Sequence, residues 1–89
     1  MCQTDVRGRF ERWPRYIREG EVKRGEIELR TALTYCPRYC EGHYWMGRFY
    51  QEVLPQRDLA VQHLEFLLDI CPGYGRAEDV RERILELTW

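Results

Sequence analysis

The residues of this chain best suited to chemistry lie in one short stretch, TYCPRYCEGHYWMG, at positions 34–47. Cys36, Cys40 and His43 have the spacing C-x3-C-x2-H, and zinc accepts thiolate sulfur and imidazole nitrogen as ligands. Structural zinc sites usually bring their ligands in two close pairs, and this chain offers one pair. A metal site is therefore an alternative interpretation of the stretch, and we do not favour it.

The four cysteines raise the question of disulfides, because a small secreted chain with this number of cysteines would predict a disulfide framework. The first ten residues lack the apolar core of a secretory signal. No apolar run approaches the roughly 20 residues of a membrane span. We therefore expect a cytoplasmic protein with reduced thiols. A disulfide between Cys36 and Cys40, or redox sensing by an exposed thiol, remains as an alternative.

His43 and His63 are the residues of this chain that could act as a general acid or base. The chain has no serine, which excludes a Ser-His-Asp triad, and it has no glycine-rich phosphate loop. A Cys–His pair is formally possible, but we expect His43 to pack between helices. We predict no enzymatic activity and no cofactor.

The charged residues favour protein contacts over nucleic acid. Of the fourteen basic residues only Lys23 is lysine, and fifteen acidic residues are interspersed among them, giving a net charge of −1. A uniformly basic surface, as nucleic-acid binding requires, is therefore not expected. Arginine suits bidentate and stacked contacts at protein interfaces.

The apolar pattern predicts helices on both sides of two prolines. The runs GEIELRTALTYC and RDLAVQHLEFLLDIC have helical spacing and end just before Pro37 and Pro72. Asp58 is the expected N-cap of the second run. Because proline stops a helix, we expect Cys36 and Cys71 to lie at helix ends.

Three further helices complete the pattern. The run EGHYWMGRFYQEVL follows Pro37, and an amphipathic terminal helix is expected at about 76–88. At the N-terminus, Val6, Phe10, Trp13 and Ile17 form one apolar stripe that Pro14 interrupts, so that the helix either kinks there or begins near it. Gly20 should end this helix in a tight turn. No strand pattern is present, and the sequence predicts an all-α fold of about five helices in antiparallel hairpins.

The two Cys-Pro segments align with each other at an offset of 35 residues, a period that predicts a helical repeat. The chain resembles the tetratricopeptide repeat family, whose pattern is W-x2-L-G-x2-Y, then A-x3-F, then P. In the second repeat, the positions that match are His43, Met46, Gly47, Tyr50, Ala60, Leu64 and Pro72. In the first repeat, Gly25, Leu29, Ala32 and Pro37 match in the second helix. Phe10, Trp13, Pro14 and Ile17 take the places of the opening motif if the turn is one residue short, and Pro14 departs from the pattern's glycine.

This resemblance implies one domain over residues 1–89, built as a short right-handed solenoid. Repeat one would cover about 6–39, repeat two about 40–74, and a capping helix about 76–88. Gly47 and Ala60 are small enough to let the paired helices approach closely.

In this family the first helix of each pair lines a concave groove that holds partner peptides. Carried over to this chain, the groove would contain Tyr44, Arg48, Gln51, Arg76 and Arg83. Arginines beside an aromatic ring would favour an acidic or carboxylate-bearing segment. The family's carboxylate-holding grooves use asparagine and lysine, and this chain has no asparagine, so that specific mode is not supported. A solvated charged face is the alternative.

The run from Asp58 to Cys71 is apolar over most of its circumference, which means either that a partner covers part of it or that it is the central helix. The sequence thus predicts a non-catalytic protein-interaction module that binds a peptide or helix through its groove and an apolar face. A Cys/His metal or redox protein and a structural homo-oligomer are the alternatives.

Overall fold

The computed structural model describes residues 12–89, and this part of the chain is all-helical, with no strand. The N-terminal apolar stripe is therefore described only at Trp13 and Ile17, because Val6 and Phe10 lie outside these residues. The helices are α1 (12–18), α2 (Val22–Tyr35), α3 (Cys40–Arg48), α4 (Arg57–Ile70) and α5 (Ala77–Thr88), with a π-helical turn, Phe49–Val53, extending α3. The prediction of an all-α fold is confirmed.

The helix ends follow the local sequence at most positions. Gly20 has a φ of 81°, a conformation that glycine adopts without strain, and it closes the turn between α1 and α2 as predicted. Cys36 and Cys71 are the C-terminal caps of α2 and α4, each directly before a proline. The predicted N-cap at Asp58 is wrong, because α4 begins at Arg57 and its N-cap is Gln56, two residues before Asp58. Asp58 lies instead in the first turn, where its charge complements the helix dipole.

The close approach of α3 and α4 depends on Gly47. A Cβ atom at this position would lie 2.4 Å from Cδ2 and 2.6 Å from Cγ of Leu64, well inside van der Waals contact. Leu64 is fully buried, and so is Ala60 one turn earlier in α4. Large and small residues therefore interlock across this helix pair, as the sequence predicts.

Helix α4 is the central helix of the described residues, because it packs against α3, the π-helical turn and α5. Leu59, Val61 and Leu68 are half-buried, and Phe66 is 38% exposed. The apolar circumference of this helix is therefore largely covered by the chain itself. Of the two interpretations of its sequence, the central position is the one the packing favours.

A disulfide joins Cys40 at the start of α3 to Cys71 at the end of α4, with 6.4 Å between their Cα atoms. Cys36 is disulfide-bonded as well. The expectation of reduced thiols is therefore wrong, and so is the alternative pairing of Cys36 with Cys40. The reason is tertiary: α3 and α4 run antiparallel, which places two cysteines 31 residues apart in the chain side by side.

Within residues 12–89, no helix has the length and apolar character needed to cross a bilayer.

Candidate functional site: an arginine–aromatic cluster and a histidine cleft

Helix α3 presents two chemically different faces, because residues three or four apart share a side of a helix. Tyr44 and Arg48 point toward α5, where they meet Asp79 and other polar groups. His43 and Gly47 point toward α4, where they meet His63 and Leu64. Each face contributes to one candidate site.

The first site is an arginine–aromatic cluster that contains all five residues predicted to line a groove. Its members are Tyr44, Trp45, Arg48, Gln51, Arg76 and Arg83. The guanidinium carbons of Arg76, Arg48 and Arg83 lie 5.0, 5.8 and 5.9 Å from the centre of the Tyr44 ring. Two of them also cover the Trp45 ring, at 5.2 Å for Arg48 and 5.4 Å for Arg76. These distances are typical of cation–π contacts.

Asp79 fixes the centre of the cluster. The Tyr44 hydroxyl donates to its Oδ2 at 2.5 Å, and Nε of Arg83 donates to the same oxygen at 2.8 Å. These two hydrogen bonds, with that from Tyr44 the larger influence, hold the pKa of Asp79 below its ordinary value. The carboxylate is therefore ionised at neutral pH and holds Tyr44 and Arg83 in place.

Arg83 also links α5 to the π-helical turn. Its Nη1 donates to Oε1 of Gln51 at 2.9 Å and to Oε2 of Glu52 at 2.6 Å. Burial on its own would lower the pKa of Arg83, but its bonds to Asp79 and Glu52 outweigh burial and raise it. Burial likewise would raise the pKa of Glu52, but hydrogen bonds from Arg83 and Arg48 lower it. The guanidinium group of Arg83 is therefore already bonded within the protein and is held in one position.

Arg76 differs from Arg83 because it is exposed and forms no ion pair within residues 12–89. The small burial of its side chain would lower its pKa, but the Tyr44 hydroxyl and the nearby charge of Glu41 raise it. Arg48 is intermediate: its side chain is 31% exposed and pairs with Glu52 at 3.3 Å. Arg76 is thus the cation of the cluster that an incoming carboxylate reaches most easily, with Arg48 next.

The second site begins with a pair of histidines between α3 and α4. Nδ1 of His43 lies 3.0 Å from Nδ1 of His63, and Nε2 of His43 lies 2.7 Å from the carbonyl oxygen of Pro37. A carbonyl can only accept, so Nε2 of His43 carries a proton. In the neutral ring Nδ1 of His43 is then an acceptor, and His63 must donate from its own Nδ1. Nε2 of His63 is left without a proton, as a hydrogen-bond acceptor.

Burial keeps this pair neutral. It lowers the pKa of His63 to about 4, with further contributions from the neighbouring His43 ring and the charge of Arg30. Burial also lowers the pKa of His43, although the bond to Pro37 acts in the opposite direction. The Tyr50 ring stacks on His63 at 6.0 Å, so that aromatic contacts hold the pair in place as well.

The Tyr50 hydroxyl donates to Oε2 of Glu26 at 2.7 Å, inside the protein. Burial raises the pKa of Tyr50, and the hydrogen bond to Glu26 adds to this increase. The hydroxyl therefore stays protonated and satisfies a carboxylate that is only 8% exposed.

His63 lines the histidine cleft, a space of about 350 Å³ between α2 and α4 above the side chains of α3. The residues lining it are Arg30, Leu33, Thr34, Met46, Tyr50, Leu59 and His63. The cleft combines apolar walls with one cation and one imidazole ring.

The sequence missed the residues that depend on chain-distant contacts. Glu52 and Asp79 could have been found from their i,i+4 spacing to Arg48 and Arg83, which predicts ion pairs on a helix face. Nothing in the sequence indicated that His43 and His63 meet. Among residues 12–89, no three or more histidine, cysteine or acidic residues form a group able to hold a metal ion.

Compared with models of protein families, with curated proteins and with solved structures, the chain has no match in any of the three.

Proposed function

We propose that this chain is a non-catalytic protein-binding module whose helical hairpins form a short tetratricopeptide-like solenoid. Its binding surface is the arginine–aromatic cluster, and its partner is a peptide or helix that carries a carboxylate beside an apolar side chain. The observation that carries this proposal is the convergence of Tyr44, Arg48, Gln51, Arg76 and Arg83, from three segments, on one partly exposed surface.

The composition of the cluster supports this function. Arginine, tyrosine and tryptophan are the residues most often found at the energetic centres of protein interfaces. Trp45 is half-buried and two guanidinium groups flank its ring, so part of its surface is open to a partner. A partner side chain on this ring would bury apolar area while its carboxylate pairs with Arg76.

The rigidity of the cluster supports it as well. Tyr44 and Arg83 are each hydrogen-bonded to Asp79, and Arg83 is bonded further to Gln51 and Glu52. A surface whose side chains are already ordered loses less entropy on binding. Because the acids in the cluster offset much of its positive charge, the partner needs one well-placed carboxylate and not a long acidic run.

A peptide library screened against the purified chain, with its disulfides intact, tests the proposal. We expect retained peptides to shift the indole N–H signal of Trp45 in NMR spectra. Arg76→Glu and Arg48→Glu should each weaken their binding at least tenfold, because each replaces a cation with a repelling carboxylate. Arg81→Glu is the matched control: it is an exposed arginine on α5 outside the cluster, and its binding should stay within twofold.

Peptides that bind the three variants equally well would overturn the assignment of this surface. So would amide shifts that map away from α3 and α5.

Self-association is a second candidate function, favoured by exposed apolar residues on α5 and at its C-terminal cap. Leu85 is 65% exposed and Trp89, four residues later, is fully exposed. Sedimentation velocity over a hundredfold range of concentration tests it, since a homo-oligomer dissociates on dilution. Leu85→Glu should abolish any association that uses this face.

The metal-binding alternative loses both of its cysteine ligands, because Sγ of Cys40 is bonded to Cys71 and Cys36 is disulfide-bonded as well. The same bond argues against the predicted cytoplasmic location, since reducing pools in the cytosol oppose stable disulfides. We propose an oxidising compartment instead. Alkylation of the chain in native extracts, under conditions that block thiol exchange, tests this: free Cys40 and Cys71 would contradict it.

A further inference from the structure

The histidine cleft shares no lining residue with the arginine–aromatic cluster and is a separate feature of the molecule. Its volume of about 350 Å³ lies at the lower end of the range of small-molecule sites. Leu33 of α2 and Leu59 of α4 supply apolar walls. The cleft therefore has space for a compact molecule with an apolar body.

Arg30 gives the cleft a cation with no side-chain partner among the described residues. Its side chain is exposed and forms no ion pair or hydrogen bond within residues 12–89. Its charge acts to lower the pKa of both His63 and Tyr50, two other residues that line the cleft. A free guanidinium fork beside an apolar wall is suited to a carboxylate.

His63 gives the cleft an acceptor. The hydrogen-bond chain from Pro37 through His43 fixes the proton of His63 on Nδ1. Nε2 therefore carries a lone pair, forms no hydrogen bond within the described part of the chain, and belongs to a ring that lines the cleft. An acceptor of this kind selects ligands that carry a hydroxyl or N–H donor.

We propose that the histidine cleft binds a small carboxylate whose apolar ring carries a hydroxyl group, as in a hydroxyaryl carboxylic acid. The carboxylate pairs with Arg30, the hydroxyl donates to Nε2 of His63, and the ring packs between Leu33 and Leu59. This ligand contacts Arg30 and Nε2 of His63, the two polar groups for which the described residues supply no side-chain partner.

Titration with 3-(4-hydroxyphenyl)propionate, followed by NMR of the chain with its disulfides intact, tests the proposal. For a probe of this size we expect a dissociation constant on the order of 1 mM. The amides of Leu33 and Leu59 and the His63 ring should shift and saturate. Two analogues separate the two polar contacts: 3-phenylpropionate lacks the hydroxyl donor, and tyramine lacks the carboxylate. Each should bind at least tenfold more weakly.

Two variants locate the binding. Arg30→Gln removes an exposed charge and keeps the fold, and it should weaken binding at least tenfold. Arg38→Gln is its matched control, since Arg38 is an exposed arginine that does not line the cleft, and it should leave binding unchanged. His63→Phe removes the acceptor and should make the hydroxylated probe and 3-phenylpropionate bind equally.

Three results would overturn the proposal. The first is the absence of a saturable shift at Leu33 and Leu59. The second is an equal affinity of the wild-type chain and Arg30→Gln. The third is tyramine binding as tightly as the hydroxyaryl carboxylate.

Discussion

The two faces of α3 carry similar residue types but are held in different ways. The face toward α4 holds His43 and Gly47 and continues into Tyr50 of the π-helical turn. It is closed by interlocking side chains, by the hydrogen bond between two neutral histidines, and by the bond from Tyr50 to the buried Glu26 of α2. The face toward α5 holds Tyr44 and Arg48, and it is held by ion pairs and cation–π contacts at the surface. Each face includes a tyrosine whose hydroxyl donates to a carboxylate, so the same kind of hydrogen bond can be compared in two surroundings.

The difference suggests that one face of α3 contributes mainly to the stability of the fold and the other mainly to partner binding. On the α4 face Gly47, Leu64, Tyr50 and Glu26 are buried, so changes there should mainly alter stability. On the α5 face the contacts are partly solvated, and exposed ion pairs contribute little to stability. Changes there should mainly alter binding. The following predictions test this division, from the largest expected effect to the smallest.

The largest effect should come from the disulfide that clamps the α4 face. Cys40→Ala combined with Cys71→Ala removes a bond that closes a loop of 31 residues, and we expect the free energy of unfolding to fall by about 4 kcal/mol. Urea denaturation measures this. Denaturation of the double variant at the wild-type midpoint would mean that α3 and α4 need no covalent clamp.

Gly47→Ala should cost about 3 kcal/mol, because its Cβ would overlap Leu64 and push α3 away from α4. Gly25→Ala is a matched control within α2, since both substitutions gain the same helix propensity. A Cβ at Gly25 would meet the movable end of the Ile17 side chain at 3.0 Å, so its effect should stay within about 1 kcal/mol. Equal effects of the two variants, again in urea denaturation, would contradict the close approach at Gly47.

Lowering the pH should destabilise the α4 face through His63. The unfolded chain takes up a proton at this residue below pH 6.5, whereas the folded chain does so only near pH 4. The unfolded state therefore binds more protons in between, and stability should fall by about 2 kcal/mol as the pH falls from 6.5 to 4, with allowance for the partly exposed ring. His63→Gln should flatten the pH dependence of urea denaturation in this window. An unchanged slope would show that His63 is not kept neutral by the fold.

The two tyrosine–carboxylate bonds allow the most direct comparison. Tyr50→Phe leaves Oε2 of the buried Glu26 without its donor, with only the exposed Lys23 near Oε1 at 3.8 Å, and should cost about 1.5 kcal/mol. After Tyr44→Phe, Asp79 still accepts a hydrogen bond from Arg83 and is reached by solvent. The loss of stability should therefore be less than about half of that caused by Tyr50→Phe. Thermal denaturation of the two variants at pH 7 measures both effects. A larger effect at Tyr44 would reverse the division between the two faces.

Much of the fold could be predicted from local sequence. The apolar periodicity, Gly20 and the prolines after Cys36 and Cys71 predicted the helices and most of their ends. The small residue at Gly47 predicted close packing against the next helix, since only the absence of a side chain permits it. The shared face of Tyr44 and Arg48 followed from helical spacing in the same way.

The cysteines and histidines were different, because their chemistry depends on neighbours that are distant in the chain. Cys40 and Cys71 lie in separate helices, and only their antiparallel packing brings them together. His43 and His63 meet for the same reason, and the carbonyl of Pro37 then decides which nitrogen of His63 is free.

The sequence by itself determined where this chain is helical, because turn residues and helical spacing act over a few positions. Only the tertiary structure decided which cations are neutralised and which are free. Arg83 forms ion pairs with Asp79 and Glu52, whereas Arg30 and Arg76 have no ion-pair partner within residues 12–89. The physical reason is that pairing depends on distances of a few ångströms between helices, which local sequence does not encode.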